Sequence, residues 1–294
     1  PVVNADTASV AEGIATTDTT SVSGNLITGG TADTDADGDT LTIAGAKTGN
    51  ATAGSAGYSS VTAGSTSTSN ATAITGTYGA LSVGADGSYL YAVDNTLAVV
   101  QALAVGETLA DTFAYRLSDG RGGFNQTTLT LTITGTNDAP SISVGSVDSN
   151  TALLSETNAP LTTSGTLTIS DIDRTNLVNT TRTLVVSGTS DRADPAAPSD
   201  AELLSMLTLT SNPILSATEQ SDTLSWVFDS NISTSKDTAF NYLRKGETLV
   251  LTYTITATDD ATPALSGSNT VTITITGSND TPTIRWKREI QQTL

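Results

Sequence analysis

The chain reads as a series of short runs in which apolar residues take every second position. From Thr128 to Thr134, Leu129, Leu131 and Ile133 alternate with threonines, and from Thr270 to Thr276, Val271, Ile273 and Ile275 do the same. Period-two alternation rich in β-branched residues predicts antiparallel strands with one buried face. Phe113, Tyr115 and Leu117 mark another such strand, matched by Leu249, Leu251, Tyr253 and Ile255. Asp86-Gly87 falls between Leu81/Val83 and Tyr89/Tyr91/Val93, which predicts a hairpin turn, with Asp86 as turn former. Leu224, Trp226 and Phe228 form the corresponding later strand, with Asp222-Thr223 in place of Asp86-Gly87. The aromatic residues of these runs read as core. Helical period is confined to Leu97–Leu103, Ala201–Leu207 and Thr238–Leu243, each long enough for a turn or two. Residues 44–73 carry no clear pattern and read as a long loop or a weak extra hairpin.

The strand pattern occurs twice. Gly106-Glu107-Thr108-Leu109 returns as Gly246-Glu247-Thr248-Leu249, and Thr136-Asn137-Asp138-Ala139-Pro140 returns as Ser278-Asn279-Asp280-Thr281-Pro282. A repeat of about 140 residues predicts an array of domains, not one globule with a single active site. Many short strands separated by Gly, Asp and Asn turns predict an all-β fold of antiparallel sandwiches. The expected division is residues 1–138, a more divergent copy over 139–280, and a basic tail over 281–294 that matches neither.

Composition narrows the chemistry. The 294 residues contain no cysteine and no histidine, which excludes disulfides, thiolate nucleophiles, imidazole bases and the usual zinc ligands. An enzyme is not expected. Thirty acids against 12 bases give a net charge of −18, a surface that repels phosphate backbones and anionic lipids. No nucleic-acid partner and no direct membrane insertion are expected, since the longest apolar stretch, Leu97–Val105, is interrupted by Gln101 and falls short of the ~20 residues a span needs. The acids are not evenly spread. Asp33, Asp35, Asp37 and Asp39 fall within seven residues, and two unit charges 4 Å apart repel by about 4 kcal/mol at an effective dielectric of ~20. The run opens like a calcium-binding EF-hand loop, but Ala44 stands where that loop needs its bidentate glutamate.

Five motifs in order carry a family resemblance. Tyr78 to Tyr91, Val100 to Leu109, Ser118-Asp119-Gly120 and Thr136 to Pro140 closely resemble the VCBS repeat, while Val22 to Leu26 with Asp33 to Leu41 resembles the cadherin-like modules of large bacterial RTX-type biofilm adhesins. The resemblance implies immunoglobulin- or cadherin-like sandwiches arranged end to end, with Ca2+ at their junctions. It gathers Glu12, Glu107, Asn137, Asp138, Asp171, Asp173, Asp259 and Asp260 at the junction between the two copies. Asp35, Asp37, Asp39 and Asp119 would serve a preceding repeat, and Glu156, Glu247, Asn279 and Asp280 a following one. Calcium suits such a set because it takes ~6–8 oxygen ligands, at roughly 10⁻⁴–10⁻³ M in extracellular modules.

The function this implies is a structural extender region of a secreted adhesin on the bacterial cell surface. Its partners would be neighbouring repeats of the same polypeptide, with matrix or host-surface contacts made elsewhere in the parent protein. Export by a type I pathway would suit a chain without cysteine. The alternative is a glycan- or ice-binding module. Two Thr-x-Thr rows are what strand propensity alone produces, and an aromatic content of 4% offers few sugar platforms.

Overall fold

The structure, a computed structural model, describes residues 1–54, 56–210 and 212–281; the basic tail from Pro282 onward lies outside them. The described chain forms two compact units. The first comprises residues 1–138 with 171–176 and 261–265, and the second comprises 139–170, 177–260 and the described residues from 266 to 281.

In the first unit the elements run β1 (Asp6–Ala11), β2 (Ser21–Asn25), β3 (Thr42–Thr48), β4 (Ser59–Ser60), β5 (Thr72–Thr75), β6 (Gly79–Val83), β7 (Ser88–Val93), α1 (Ala98–Gln101), β8 (Thr108–Ser118) and β9 (Phe124–Thr134). They form two sheets, ordered β1-β9-β8-β3-β4 and β2-β7-β6-β5. All pairings are antiparallel except that of β1, which lies parallel to β9 with Asp6 opposite Leu129 and Ala11 opposite Thr134. The alternating residues fill the interior as their pattern requires: Phe113, Leu117, Leu129, Leu131 and Ile133 are wholly buried. Residues 44–73 supply the end of β3, the two-residue β4 paired to it at Gly45 and Ala46, and the start of β5.

Two interior polar groups organise this unit. Gln101, which interrupts the apolar run, is buried and donates from Nε2 to the Gly13 carbonyl at 2.6 Å. Asp111 accepts the Thr77 and Tyr78 amides at 3.1 and 3.0 Å and the Tyr91 hydroxyl at 3.0 Å. Asp111→Ala strands the buried Tyr91 hydroxyl and frees two partly buried amides, so urea unfolding should show a loss of about 1–3 kcal/mol.

The second unit repeats the plan with β10 (Ser141–Ser143), β11 (Thr151–Ser155), β12 (Thr162–Ser170), β13 (Asn179–Gly188), α2 (Asp200–Ser205), β14 (Leu207–Leu209), β15 (Ser221–Asp229), β16 (Thr248–Thr258) and β17 (Ser266–Thr276). Its sheets are β10-β12-β15-β14 and β11-β17-β16-β13, and β11 is again parallel to the last strand, β17. Trp226 is fully buried and donates from Nε1 to the Ser149 carbonyl at 2.8 Å. Gly165 lets the indole lie against β12, since a Cβ there would stand 2.5 Å from Trp226 Cζ2.

Local expectations are corrected in two places. Asp86-Gly87 does turn the β6–β7 hairpin, with Gly87 at φ +83° and the Asp86 carboxylate accepting the Ser88 amide at 3.0 Å. Asp222-Thr223, however, lies inside β15, paired with Ile169 and Thr168, because the turn has moved back to Ser216–Glu219. Residues 97–103 and 201–207 overlap α1 and α2, but Thr238–Leu243 forms turns. There the Asp237 carboxylate takes the amides of Ala239 and Tyr242, and Phe240 sits at φ +63°, outside the helical region.

Candidate metal centre

The end of β1 delivers a glutamate into a buried acidic cluster. Glu12, 3% exposed, donates its amide to the Thr134 carbonyl at 3.0 Å, continuing the β1–β9 ladder by one bond. Its Oε1 accepts the Thr136 amide at 3.1 Å, while Oε2 is buried and has no hydrogen-bond partner. Two residues past Thr136 stands Asp138, 8% exposed, whose amide donates to Asp173 Oδ2 at 2.9 Å and whose Oδ2 is likewise buried without a hydrogen bond. Asp171 and Asp173 are fully buried in a loop that packs with the first unit, and Asp171 Oδ1 accepts the Asp173 amide at 3.0 Å. Asn137 donates from Nδ2 to the Pro263 carbonyl at 3.1 Å and accepts Asn176 Nδ2 at 2.9 Å.

Among the described residues no ion pair reaches Glu12 or Asp138. Burial above all, and then repulsion from Asp138 and Asp173, pushes the Glu12 carboxyl up to about 7 despite the Thr136 amide. Burial also pushes Asp138 up to about 6, with Asp173, Asp171 and Asp18 adding to the effect. A buried carboxylate with no cation and an unfilled lone pair costs free energy, and a hard cation removes that cost. The donor set, carboxylates and amide carbonyls without nitrogen or sulfur, fits calcium.

The second unit provides an internal comparison. Glu156, 2% exposed, holds the same place after β11, donating its amide to the Thr276 carbonyl at 3.0 Å. Its Oε2 accepts the Ser278 amide and hydroxyl at 2.9 and 2.8 Å. Although burial pulls the other way, these bonds hold Glu156 below its ordinary range. The strand-end glutamate therefore keeps its charge where Ser278 donates to it twice, and loses that ease at Glu12 through burial first and the neighbouring carboxylates second.

The other predicted residues fall into distinct surroundings. Glu107 is exposed and its Oε2 accepts the Ala104 amide at 3.1 Å; Glu247 repeats this with the Arg244 amide at 2.9 Å. Asp259 is buried in the second unit just past β16, and Asp260 accepts the Leu177 amide at 2.8 Å. Asp35, Asp37 and Asp39 bring carboxylate oxygens within 4.8 Å of one another, and Arg121 Nε lies 3.4 Å from Asp39. Asp119 closes its own turn, accepting the Arg121 and Gly123 amides at 2.7 and 2.9 Å. Asn279 and Asp280 are exposed.

Two neighbours of the cluster were not foreseen. Asn176, 6% exposed, bridges Asn137 and Asp173, at 3.3 Å from the latter; its place three residues after Asp173 was the available signal. Asp18, which acts on Asp138, sits in a loop held by Asn95, whose Nδ2 donates to the Asp18 carbonyl at 2.8 Å and whose Oδ1 accepts the Gly13 amide at 3.0 Å.

The raised carboxyls make a pH prediction. Folded-state values above the ordinary 4.5 and 3.8 mean that the metal-free folded chain holds more protons than the unfolded chain. The stability this contributes is fully present below about pH 4, is lost as pH rises to about 7, and amounts to a few kcal/mol on the order-of-magnitude level. Thermal unfolding in chelator should therefore show a midpoint at pH 8 below that at pH 5.5, and millimolar calcium should remove most of the difference.

No curated protein matches the chain in sequence. Similar solved structures include Drosophila N-cadherin EC1-4, 15% identical with a TM-score of 0.40, the match covering 94% of this chain and 48% of that one. Extracellular cadherin domains 3–6 of protocadherin gamma B2 are 16% identical with a TM-score of 0.40, covering 92% and 45%. A PapD-like domain of human CEP192 is 8% identical with a TM-score of 0.30, covering 49% and 89%. The chain spans about half the length of the two cadherin fragments. Residues 1–135, which carry β1 to β9, match the family of the bacterial cadherin-like domain.

Proposed function

We propose that this chain is an extender stretch of a secreted bacterial surface adhesin, in which Ca2+ orders the passage from one repeat of the sequence to the next. A cadherin-like domain points to an extracellular, adhesion-type module with a structural rather than catalytic task. Among the described residues no helix is long and apolar enough to cross a membrane. The observation that carries the calcium reading is the pair of buried carboxylate oxygens, Glu12 Oε2 and Asp138 Oδ2, without hydrogen-bond donors.

Glu12, Asp138, Asp171 and Asp173 would hold the ion, with Asn137 and Asn176 orienting the loop that carries Asp173. Calcium when bound supplies two positive charges and accepts the free oxygen lone pairs. The chain's own part is to present these oxygens from β1, from the residues after β9 and from the 171–176 loop, so that the ion draws the three segments together. Against the alternative of a sugar-binding face, Tyr89, Tyr91, Trp226 and Phe228 are core residues and offer no surface platform. Contacts with matrix or host surface would be made elsewhere in the parent protein, and neighbouring repeats would be the partners in this stretch.

Calorimetric titration at pH 8 tests the reading, with hydrogen exchange at the amides of residues 136–138. Binding near 10⁻⁴–10⁻³ M, selective for calcium over magnesium, and slowed exchange at those amides are expected. Absence of binding at 10 mM calcium, or binding that leaves exchange at those amides unchanged, overturns it.

A further inference from the structure

A second oxygen-rich centre lies inside the first unit, built by residues that the calcium cluster does not use. The Tyr115 hydroxyl, 1% exposed as a residue, donates to Asp6 Oδ2 at 2.6 Å. The Asn4 and Leu26 carbonyl oxygens also stand within reach of that hydroxyl, at 3.0 and 3.2 Å. One hydroxyl proton thus faces three acceptors. Asp33 closes the group: its Oδ1 accepts the Asn4 amide at 2.7 Å, and its Oδ2 is buried with no hydrogen-bond partner in a side chain nine-tenths buried. Asp33 is close enough that its charge, after the larger effect of burial, helps hold both Asp6 and Tyr115 above their ordinary ranges.

The second unit shows that the fold does not demand these groups. Counting back six residues from Glu12 and from Glu156 puts Asn150 in the place of Asp6. Val2 bridges Thr34 as Ser141 pairs with Ser170, so Ile169 takes the place of Asp33. Tyr115 and Ile255 each follow their Gly-Glu glutamate by eight residues. Ile169 and Ile255 are fully buried, and Asn150 donates to the Thr270 carbonyl at 3.1 Å. Three positions distant in sequence thus differ together: a buried acid, a buried acid and a hydroxyl in one copy, an amide and two hydrocarbons in the other. A sandwich of the same plan packs without the acids, so their burial in the first unit calls for a ligand.

We propose that Asp6 and Asp33, with the carbonyl oxygens of Asn4 and Leu26 and the Tyr115 hydroxyl, form an internal cation site that takes a hard divalent ion of calcium's class. Two carboxylates match the charge of one such ion, and the remaining donors are neutral oxygens of the kind it prefers. The site is independent of the cluster around Glu12 and shares no residue with it.

Calcium bound per chain, counted by mass spectrometry of the metal after equilibrium dialysis at pH 8, tests the proposal on the full chain. Asp33→Asn, and Asp6→Asn combined with Asp33→Ile (the residues of the second copy), should each bind one ion fewer than wild type. The combined Glu12→Gln and Asp138→Asn variant should keep this ion, so the two readings fail separately. An unchanged count in folded Asp33 variants overturns the proposal. So does an unchanged count with a carboxylic-acid infrared band that Asp33→Asn abolishes, which assigns the place to a proton. Should the variants not fold, crystals of the wild-type chain grown with manganese decide: an anomalous peak between Asp6 and Asp33 supports the site, and its absence refutes it.

Discussion

Adding 10 mM calcium at pH 8 is expected to stabilise the folded chain by about 2.7 kcal/mol for each ion bound at 10⁻⁴ M, or roughly 5–10 °C in unfolding midpoint. The diagnostic lies in the combined Glu12→Gln and Asp138→Asn variant. These changes keep side-chain shape and remove two of the charges that burial and mutual repulsion disfavour. In chelator at pH 8 the variant should therefore unfold at a higher temperature than wild type. In calcium the order should reverse, since the variant has lost carboxylates that would hold the ion under the proposed function. A purely structural role for Glu12 and Asp138 predicts that the variant is weaker under both conditions. Differential scanning calorimetry of the two proteins, with and without calcium, separates the cases. Glu156→Gln serves as the control, because its carboxylate is already satisfied by Ser278 and should give a loss in chelator.

Trp226→Ala is expected to carry the largest cost of any single change in the second unit. The indole is fully buried, packs over Gly165 and spends its only donor on the Ser149 carbonyl. Truncation leaves a cavity and an unpaired carbonyl, and large aromatic residues in such places cost about 3–5 kcal/mol. Trp226→Phe should recover most of the loss, leaving the hydrogen bond's share of about 1 kcal/mol. Far-ultraviolet circular dichroism during urea unfolding reads both. If Trp226→Ala unfolds at the wild-type urea concentration, the packing described for this core is wrong.

How far the sequence revealed these features depends on whether they are local. The alternation in β9 and β17 exposed the strands and their buried faces, because side-chain period two is a property of the strand itself. The repeat revealed the doubled plan. What local pattern did not reveal is where turns borrow side chains. Glu107, expected at the junction of the copies, and Asp119, expected toward a preceding repeat, each also close a neighbouring turn through backbone amides, which their spacing does not announce. Asp222-Thr223 occupies the aligned place of a turn but is strand, since Ser216 and Glu219 had already turned the chain. At Thr238–Leu243 the Asp237 carboxylate outcompetes helical hydrogen bonding, a contest that apolar spacing does not record. Asn176 and Asp18 escaped notice because an amide and an exposed loop acid carry no signature until the fold brings them beside Asp173 and Asp138. Asp6 and Asp33 stand 27 positions apart in sequence and meet only around Tyr115.

The parallel pairing of β1 with β9, and of β11 with β17, has a mechanical consequence. In each unit the early strand and the closing strand run side by side in the same direction. Tension entering by one and leaving by the other draws them past each other along their length. Their rungs then share the load at once, whereas an antiparallel pair pulled open from one end yields rung by rung. Each unit would therefore resist tension applied along these strands more firmly than tension applied across them.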